Sequence, residues 1–162
     1  MIEQCPKITI NLSSQTLFFE SNNASYSYSI SSALNGPGQL SGSGCTPLGH
    51  HKIRAKIGHN APINSVFRGR RLTGEIYSSE LSNRYPQRDW ILTRILWLSG
   101  KELGYNRLGN VDSMRRYIYI HGTPDTEPMG IPLSHGCIRM RNTDVIELFD
   151  LAPIGADVYI QK

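Results

Sequence analysis

The chain has 162 residues, of which 39% are hydrophobic and 19% are charged. This length fits one ordinary domain and argues against two full domains, and this composition excludes a disordered chain. The 17 lysines and arginines exceed the 13 aspartates and glutamates by four, an excess too small and too scattered to indicate nucleic-acid binding, although it suits a substrate that carries carboxylates.

Alternating apolar and polar residues predict strands in the first third of the chain. Residues 8–12 and 26–30 alternate in this way, and the turn-forming residues 20–23 between them predict a hairpin. A glycine-rich loop over residues 35–49 then leads to a further strand over residues 52–56. This loop has no phosphate-binding glycine pattern, so no cofactor is expected there.

The middle of the chain divides into an irregular stretch and two apolar segments. Residues 58–88 are rich in Arg, Asn, Ser and Gly and are predicted to form an elaborated loop region. Residues 90–98 and 117–120 are dense in β-branched, aromatic and aliphatic residues, which is typical of buried strands.

The end of the chain predicts a helix followed by a strand. Asn142 or Thr143 can cap a helix whose apolar stripe extends to Ala152, and residues 157–160 predict a closing strand. We therefore expect one mainly β domain over residues 1–162 with one clear helix.

The three cysteines, Cys5, Cys45 and Cys137, are an odd number and imply no disulfide framework. Because free cysteine is usually a small buried hydrophobe, we expect Cys5 and Cys45 in the core. His51, in a polar region, is expected at the solvated surface.

One segment concentrates the groups that cysteine catalysis requires. A thiol, two imidazoles and a guanidinium fall between positions 121 and 139. Cys137 follows Gly136, so its backbone N–H can face a substrate without a neighbouring side chain in the way. In an extended segment His135 and Cys137 project to the same side, and a histidine supplies the base that a thiol needs.

Zinc binding is the main structural alternative for these groups. His121, His135 and Cys137 could be three zinc ligands, but the spacing lacks the usual knuckle of two cysteines. We therefore predict no metal.

The same segment is similar to the signature of the L,D-transpeptidase catalytic domain family (YkuD). The resemblance covers residues 7–160. It is weak over residues 58–88, which we interpret as a region specific to a subfamily. It implies a β-sandwich with one or a few short helices. It rests on three segments: Thr46-Pro47-x-Gly49, His121-Gly122 and Ser134-His135-Gly136-Cys137-Ile138-Arg139-Met140-x-Asn142.

The resemblance implies roles for three residues of the catalytic centre. Cys137 matches the family's nucleophile, which attacks an amide carbonyl between an L-centre and a D-residue. His121 matches the general base, and the backbone carbonyl of Gly122 would hold its second ring nitrogen.

The resemblance also implies an oxyanion and substrate-binding set around the nucleophile. The backbone N–H groups of His135, Gly136 and Cys137 are the candidate oxyanion donors, and Ser134 belongs to the same loop. Arg139 would bind a substrate carboxylate or fix the loop.

The implied substrate is a peptidoglycan tetrapeptide or muropeptide. Cys137 would attack the bond between meso-diaminopimelate and the terminal D-Ala and hold a thioester, and carbapenems would act as acylating inhibitors. Water as the acceptor gives an L,D-carboxypeptidase, whereas the amine of a second stem peptide gives a transpeptidase that forms 3-3 cross-links.

The composition of the first 20 residues favours water over an amine as the acceptor of the thioester. Residues 1–20 lack a basic n-region and an apolar h-region, and the longest apolar run, residues 95–98, is far too short for a membrane span. We expect a carboxypeptidase of cytoplasmic muropeptide recycling if the sequence is complete at Met1, and a periplasmic transpeptidase if an export signal was removed. A non-catalytic peptidoglycan-binding module is the alternative from another class, and it would have to explain the intact nucleophile set.

Overall fold

The computed structural model describes residues 4–162, so the expectations that depend on Met1 lie outside the described residues. The prediction of a mainly β domain is confirmed, with two α-helices and a short 3-10 turn at Gly109–Val111 in place of one clear helix. The strands are β1 (Lys7–Asn11), β2 (Thr16–Ser21), β3 (Ala24–Ser31), β4 (Gly49–Ile57), β5 (Ser65–Arg68), β6 (Arg71–Ile76), β7 (Ile91–Gly100), β8 (Tyr119–Gly122), β9 (Ile138–Met140) and β10 (Asp157–Gln161). The helices are α1 (Ser79–Arg84) and α2 (Asn142–Leu151).

The strands form one sheet that closes on itself. Their order is β4-β10-β1-β2-β3-β9-β8-β7-β5-β6, and β4 pairs with β7 as well as with β10. Eight strands therefore make a barrel-like sandwich without an open edge, from which the β5–β6 hairpin extends. Most pairs are antiparallel, but β8 and β9 run parallel, and this pair carries the catalytic candidates.

The alternation in the first third of the chain fills the core as predicted. Ile8, Ile10 and Ile30 are fully buried. The predicted hairpin is wrong in one respect, because strand β2 intervenes and the turn joins β2 to β3. Leu17 and Phe19 of β2 are buried too and carry the same alternation.

Helix α2 packs its apolar stripe against the sheet. Val145, Leu148 and Phe149 are buried, and α2 contacts β7 and β8. The predicted cap is wrong, since Arg141 occupies the N-cap position and no side chain caps the helix there. Neither helix within residues 4–162 is long and apolar enough to cross a membrane.

The region over residues 58–88 is more regular than predicted. It contains the β5–β6 hairpin and helix α1, which Ser78 caps by accepting the N–H of Leu81 at 3.1 Å. No residue of α1 is buried, and β6 is almost entirely exposed. Strand β6 and helix α1 therefore lack the apolar periodicity from which a strand or a helix is predicted.

Three burial predictions are wrong. Cys5 is exposed and Cys45 only partly buried, whereas His51 is fully buried. His51 faces inward from β4, where Nδ1 lies 3.0 Å from the carbonyl oxygen of Gly49 and Nε2 lies 2.7 Å from the hydroxyl of Ser113. Two satisfied ring nitrogens allow an imidazole in the core.

Candidate active site

The parallel pairing of β8 and β9 brings the predicted nucleophile and base to one face of the sheet. His121 of β8 is paired with Arg139 of β9, and Cys137 lies two residues before Arg139. Cys137 lies just before β9, and its side chain packs in the cluster that contains Tyr119, two residues before His121 on β8. Residues two apart on a strand, and residues paired across strands, share a face. His121, Arg139 and Cys137 therefore belong to the same side of the sheet.

The Cys137 thiol is held by the backbone that leads into β8. The N–H of Tyr119 donates to Sγ at 3.3 Å, and Sγ–H donates to the carbonyl oxygen of Tyr117 at 3.3 Å. Burial raises the pKa of the Cys137 thiol to about 12, although the Tyr119 N–H and the charge of Arg139 act in the opposite direction. The resting group is consequently a neutral thiol.

His121 is locked in one tautomer. Its Nδ1 lies 2.6 Å from the carbonyl oxygen of Gly122, and a carbonyl only accepts hydrogen bonds, so Nδ1 carries the proton. Nε2 is then the nitrogen with a free lone pair. Burial lowers the pKa of His121, so the ring is neutral at pH 7 and available as a base.

The Cys137 thiol and the His121 imidazole are not hydrogen-bonded to each other at rest. Sγ–H donates to Tyr117 and not to Nε2 of His121. Transfer of the thiol proton to Nε2 therefore requires the two groups to come together on substrate binding, which is common in catalytic pairs.

The loop before Cys137 is fixed by two hydroxyl groups. Ser134 Oγ donates to the carbonyl oxygen of Cys137 at 2.6 Å and accepts the N–H of Gly136 at 3.2 Å. Thr46 Oγ1 donates to the carbonyl oxygen of Gly136 at 2.9 Å. Gly136 has φ +138°, and a Cβ there would lie 3.3 Å from the carbonyl oxygen of Cys45, so this position requires glycine.

These contacts divide the predicted oxyanion donors into two groups. The N–H of Gly136 is engaged by Ser134, whereas those of His135 and Cys137 donate to no other group within residues 4–162. The latter two N–H groups are therefore free to receive an oxyanion, and Ser134 shapes the loop.

His135 does not lie beside the thiol as predicted. Its side chain is 76% exposed, and Nδ1 lies 3.4 Å from Oδ2 of Asp89. The positive φ of Gly136 interrupts the extended alternation on which the prediction depended. The side chains of His121, His135 and Cys137 do not converge, and no group of three or more ligand side chains within residues 4–162 is arranged to hold a metal.

Asp89 connects the two sides of the site, and sequence reasoning missed it. Its Oδ1 lies 3.4 Å from Nη2 of Arg139, and its Oδ2 faces His135. Arg139 is 9% exposed and has Glu127 as a second acidic neighbour at 4.0 Å. No local motif marks Asp89, which lies some fifty residues before both of its partners.

The side-chain amide of Asn142 lies against Gly122, the residue that follows His121. Its Nδ2 donates to the carbonyl oxygen of Thr123 at 2.8 Å, and its Oδ1 accepts the hydroxyl of Thr93 at 2.6 Å. Nδ2 also donates to Asn64 at 3.0 Å. A Cβ on Gly122 would collide with this amide, so Asn142 explains why glycine follows the base.

Arg116 ties the glycine-rich loop to the segment that holds the thiol. Its guanidinium donates to the carbonyl oxygens of Gly38, Gln39 and Cys45, the last at 2.7 Å. The following residue, Tyr117, accepts the Cys137 thiol.

Two cavities meet at His135. One, of about 440 Å³, is bordered by residues 41–44 and by Arg115, Arg116 and Tyr117. The other, of about 230 Å³, is bordered by Asp89, Trp90, Thr123 and Arg139 among others. The site is thus open on both sides of the nucleophile loop.

Known proteins that this chain resembles in sequence or in fold include several L,D-transpeptidases. The family described as L,D-transpeptidase catalytic domain matches residues 6–160. A stretch of 48 residues is 44% identical to the putative L,D-transpeptidase YkuD of Bacillus subtilis, covering 30% of this chain and 29% of that protein. The chain thus aligns with under a third of that relative.

Solved structures agree over nearly the whole fold. The L,D-transpeptidase of Xylanimonas cellulosilytica superposes with a TM-score of 0.61 at 16% identity, covering 99% of this chain and 62% of that one. L,D-transpeptidase 3 of Mycobacterium tuberculosis, in complex with a faropenem-derived adduct, gives a TM-score of 0.60 at 16% identity, covering 98% and 60%. With the match of the family over residues 6–160, the chain belongs to the L,D-transpeptidase catalytic domain (YkuD) family.

Proposed function

We propose that this protein is a cysteine acyl-transfer enzyme that acts on peptidoglycan stem peptides. The observation that carries the proposal is the pair formed by Cys137 and His121 on one face of β8 and β9, with the base held in a single tautomer by Gly122. A buried imidazole with Nε2 free, next to a thiol at a loop with free N–H groups, is an arrangement suited to nucleophilic acyl transfer.

The reaction follows from these positions. Nε2 of His121 takes the proton of the Cys137 thiol as Sγ bonds to the carbonyl carbon of the L,D amide. The N–H groups of Cys137 and His135 receive the oxyanion of the tetrahedral intermediate. The carbon–nitrogen bond then breaks, His121 returns the proton to the amine of the departing D-Ala, and a thioester remains on Cys137.

The charges around the site suit a substrate with several carboxylates. Arg139 borders one cavity, and its acidic partners within residues 4–162 are the partly exposed Asp89 and Glu127. Arg115 and Arg116 border the other cavity. The terminal carboxylate of D-Ala and the carboxylate of a diaminopimelate residue are groups that guanidinium ions bind well.

The thioester is resolved by water or by an amine. Hydrolysis, as an L,D-carboxypeptidase in cytoplasmic recycling, stays the prediction made from the sequence, and cross-linking in the periplasm is its alternative. Carbapenems should acylate Cys137, a proposal supported by the family and by the adduct of faropenem, a related β-lactam, in the mycobacterial structure.

Incubation with a purified disaccharide-tetrapeptide tests the proposal, with products identified by mass spectrometry. Loss of one alanine without a dimer indicates hydrolysis, and a dimer that has lost one alanine indicates cross-linking. Both products should be absent with Cys137→Ala. Saturable binding of the muropeptide without any product in the wild-type protein would instead show a non-catalytic binding module.

A further inference from the structure

A third cavity, of about 310 Å³, lies outside the catalytic groups and is strongly basic. Strand β4, the end of β7 and the segment of residues 107–115 enclose it. We call it the basic cavity. Its cationic lining residues are Lys52, Arg54, Lys101, Arg107 and Arg115.

The positive charge of the basic cavity is largely uncompensated. Lys101 pairs with Asp157 at 2.7 Å, whereas the other four cations form no ion pair within residues 4–162. The one acidic lining residue, Asp112, uses its two carboxylate oxygens to accept the backbone N–H groups of Leu108 and Arg115, at 2.7 and 3.0 Å. Asp112 thus shapes the wall, and the cavity attracts anions.

The cavity also holds a buried hydroxyl without a partner. Ser99 is 7% exposed, and its Oγ makes no hydrogen bond within residues 4–162. In the β4–β7 register Ser99 lies directly opposite Lys52, so both side chains face the cavity. Buried hydroxyl groups are nearly always hydrogen-bonded, so this one indicates a missing acceptor.

We propose that the basic cavity is a binding site for a phosphate group. A tetrahedral oxyanion would accept the Ser99 hydroxyl and the donors of Arg54 and Lys52 at the same time. The four unpaired cations carry more positive charge than the single negative charge of a carboxylate neutralises. A phosphate ester carries close to two negative charges, and a diphosphate carries more. Arg54 is oriented for this by the Trp97 ring, whose centroid lies 6.0 Å from its Cζ.

The site stands apart from the proposed acyl transfer and does not depend on it. Arg115 borders both the basic cavity and the 440 Å³ cavity beside Tyr117, so a long ligand could span the two. The phosphate belongs to a small soluble monoester or diphosphate, or to consecutive phosphodiesters of a wall polymer, each of which carries one charge. In both sources a phosphate oxygen accepts the Ser99 hydroxyl.

Calorimetric titration with inorganic pyrophosphate at low ionic strength tests the site. We expect saturable 1:1 binding by the wild-type protein and by Cys137→Ser alike, because the nucleophile takes no part. Since a lost hydrogen bond to a charged group changes affinity by about tenfold or more, the double variant Lys52→Ala/Arg54→Ala should weaken binding by at least that factor. The double variant Arg68→Ala/Arg71→Ala removes the same charge from the exposed β5–β6 hairpin and should change affinity by less than about twofold.

Ser99→Ala separates a ligand contact from a structural role. Removing an unpartnered hydroxyl should leave the melting temperature unchanged or slightly raised, while the stabilisation by pyrophosphate becomes smaller. Absence of saturable binding, equal weakening in both double variants, or equal binding of citrate would overturn the proposal. Titrations with uridine diphosphate and with a glycerol phosphate oligomer then distinguish the two sources, the tighter ligand identifying the source.

Discussion

The backbone N–H of Tyr119 donates a hydrogen bond to the sulfur of Cys137 at 3.3 Å, so strand β8 holds the proposed nucleophile as well as the proposed base. The same strand ends in His121 and Gly122. Thiol and imidazole are therefore positioned by one rigid element, while both stay neutral because burial acts on each of them. A neutral pair implies that the proton moves as the substrate is attacked.

Slow alkylation of Cys137 follows from its raised pKa. The thiolate is the form that reacts with iodoacetamide, and at pH 7 this form is scarce at Cys137. Peptide mass spectrometry after brief alkylation should show Cys5, which is exposed, modified well before Cys137. Preferential modification of Cys137 at pH 7 would mean that the resting pair is ionic instead.

The two histidines should behave differently on substitution. His121→Ala should lower the rate of Cys137 acylation by roughly 10²–10⁴-fold, the range for a lost general base. His135→Ala should cost less, because its side chain is exposed and paired with Asp89.

The pH profile of acylation checks this assignment. Because burial lowers the pKa of His121, the acid limb of the wild-type profile should lie below the ordinary histidine value of 6.5. His135→Ala should keep this limb, and His121→Ala should lose it. The reverse pattern would exchange the two roles.

Sequence patterns singled out the candidate catalytic residues but not the residues that hold them in place. The spacing of His121, Gly122 and Cys137 belongs to a short motif on adjacent strands, so it could be recognised without a fold. Asp89 and Arg116 reach the site through long-range contacts, and nothing in their immediate neighbours marks them. His135 was misplaced because one positive φ at Gly136 reverses an extended segment.

The secondary structure, too, was predicted only where the local sequence carries a pattern. Strands with one buried face, such as β1 and β3, were visible as alternation, and β2 carried the same signal in Leu17 and Phe19. The exposed strand β6 and helix α1 had none, and the buried strand β5 is only four residues long. Asn142 was assigned to a cap because its residue type favours caps. Its amide is instead buried behind Gly122, where it binds the side chains of Thr93 and Asn64 and the backbone carbonyl of Thr123.

Asn142→Asp should impair both the fold and the site. The carboxylate cannot donate to Thr123 or Asn64, and a buried partner left unpaired costs about 1–3 kcal/mol. We expect a lower unfolding free energy by urea titration and, at temperatures where the protein stays folded, an acylation rate reduced by about tenfold or more. Asn110→Asp, at an exposed position, is the matched control. A folded Asn142→Asp protein with the wild-type rate would refute the positioning role.

Stability should fall with acidification because of His51. Burial lowers its pKa from 6.5 to about 4, so the folded state favours the neutral ring and its contribution is complete above pH 6.5. The shift corresponds to about 3 kcal/mol, lost as the pH falls from 6.5 towards 4. Urea unfolding at a series of pH values should show this slope, to which buried His121 adds in the same direction. His51→Gln should flatten it, and an unchanged slope in that variant would assign the acid sensitivity to other groups.

The central claim is that Cys137 forms a covalent acyl intermediate, and intact-mass spectrometry tests it most directly. After brief exposure to a carbapenem, the wild-type protein should gain the mass of one acyl group, located by peptide mapping on Cys137. Cys137→Ala should gain none, and Cys5→Ala should be acylated like the wild type. An unmodified wild-type protein, or an adduct that persists in Cys137→Ala, would contradict the account.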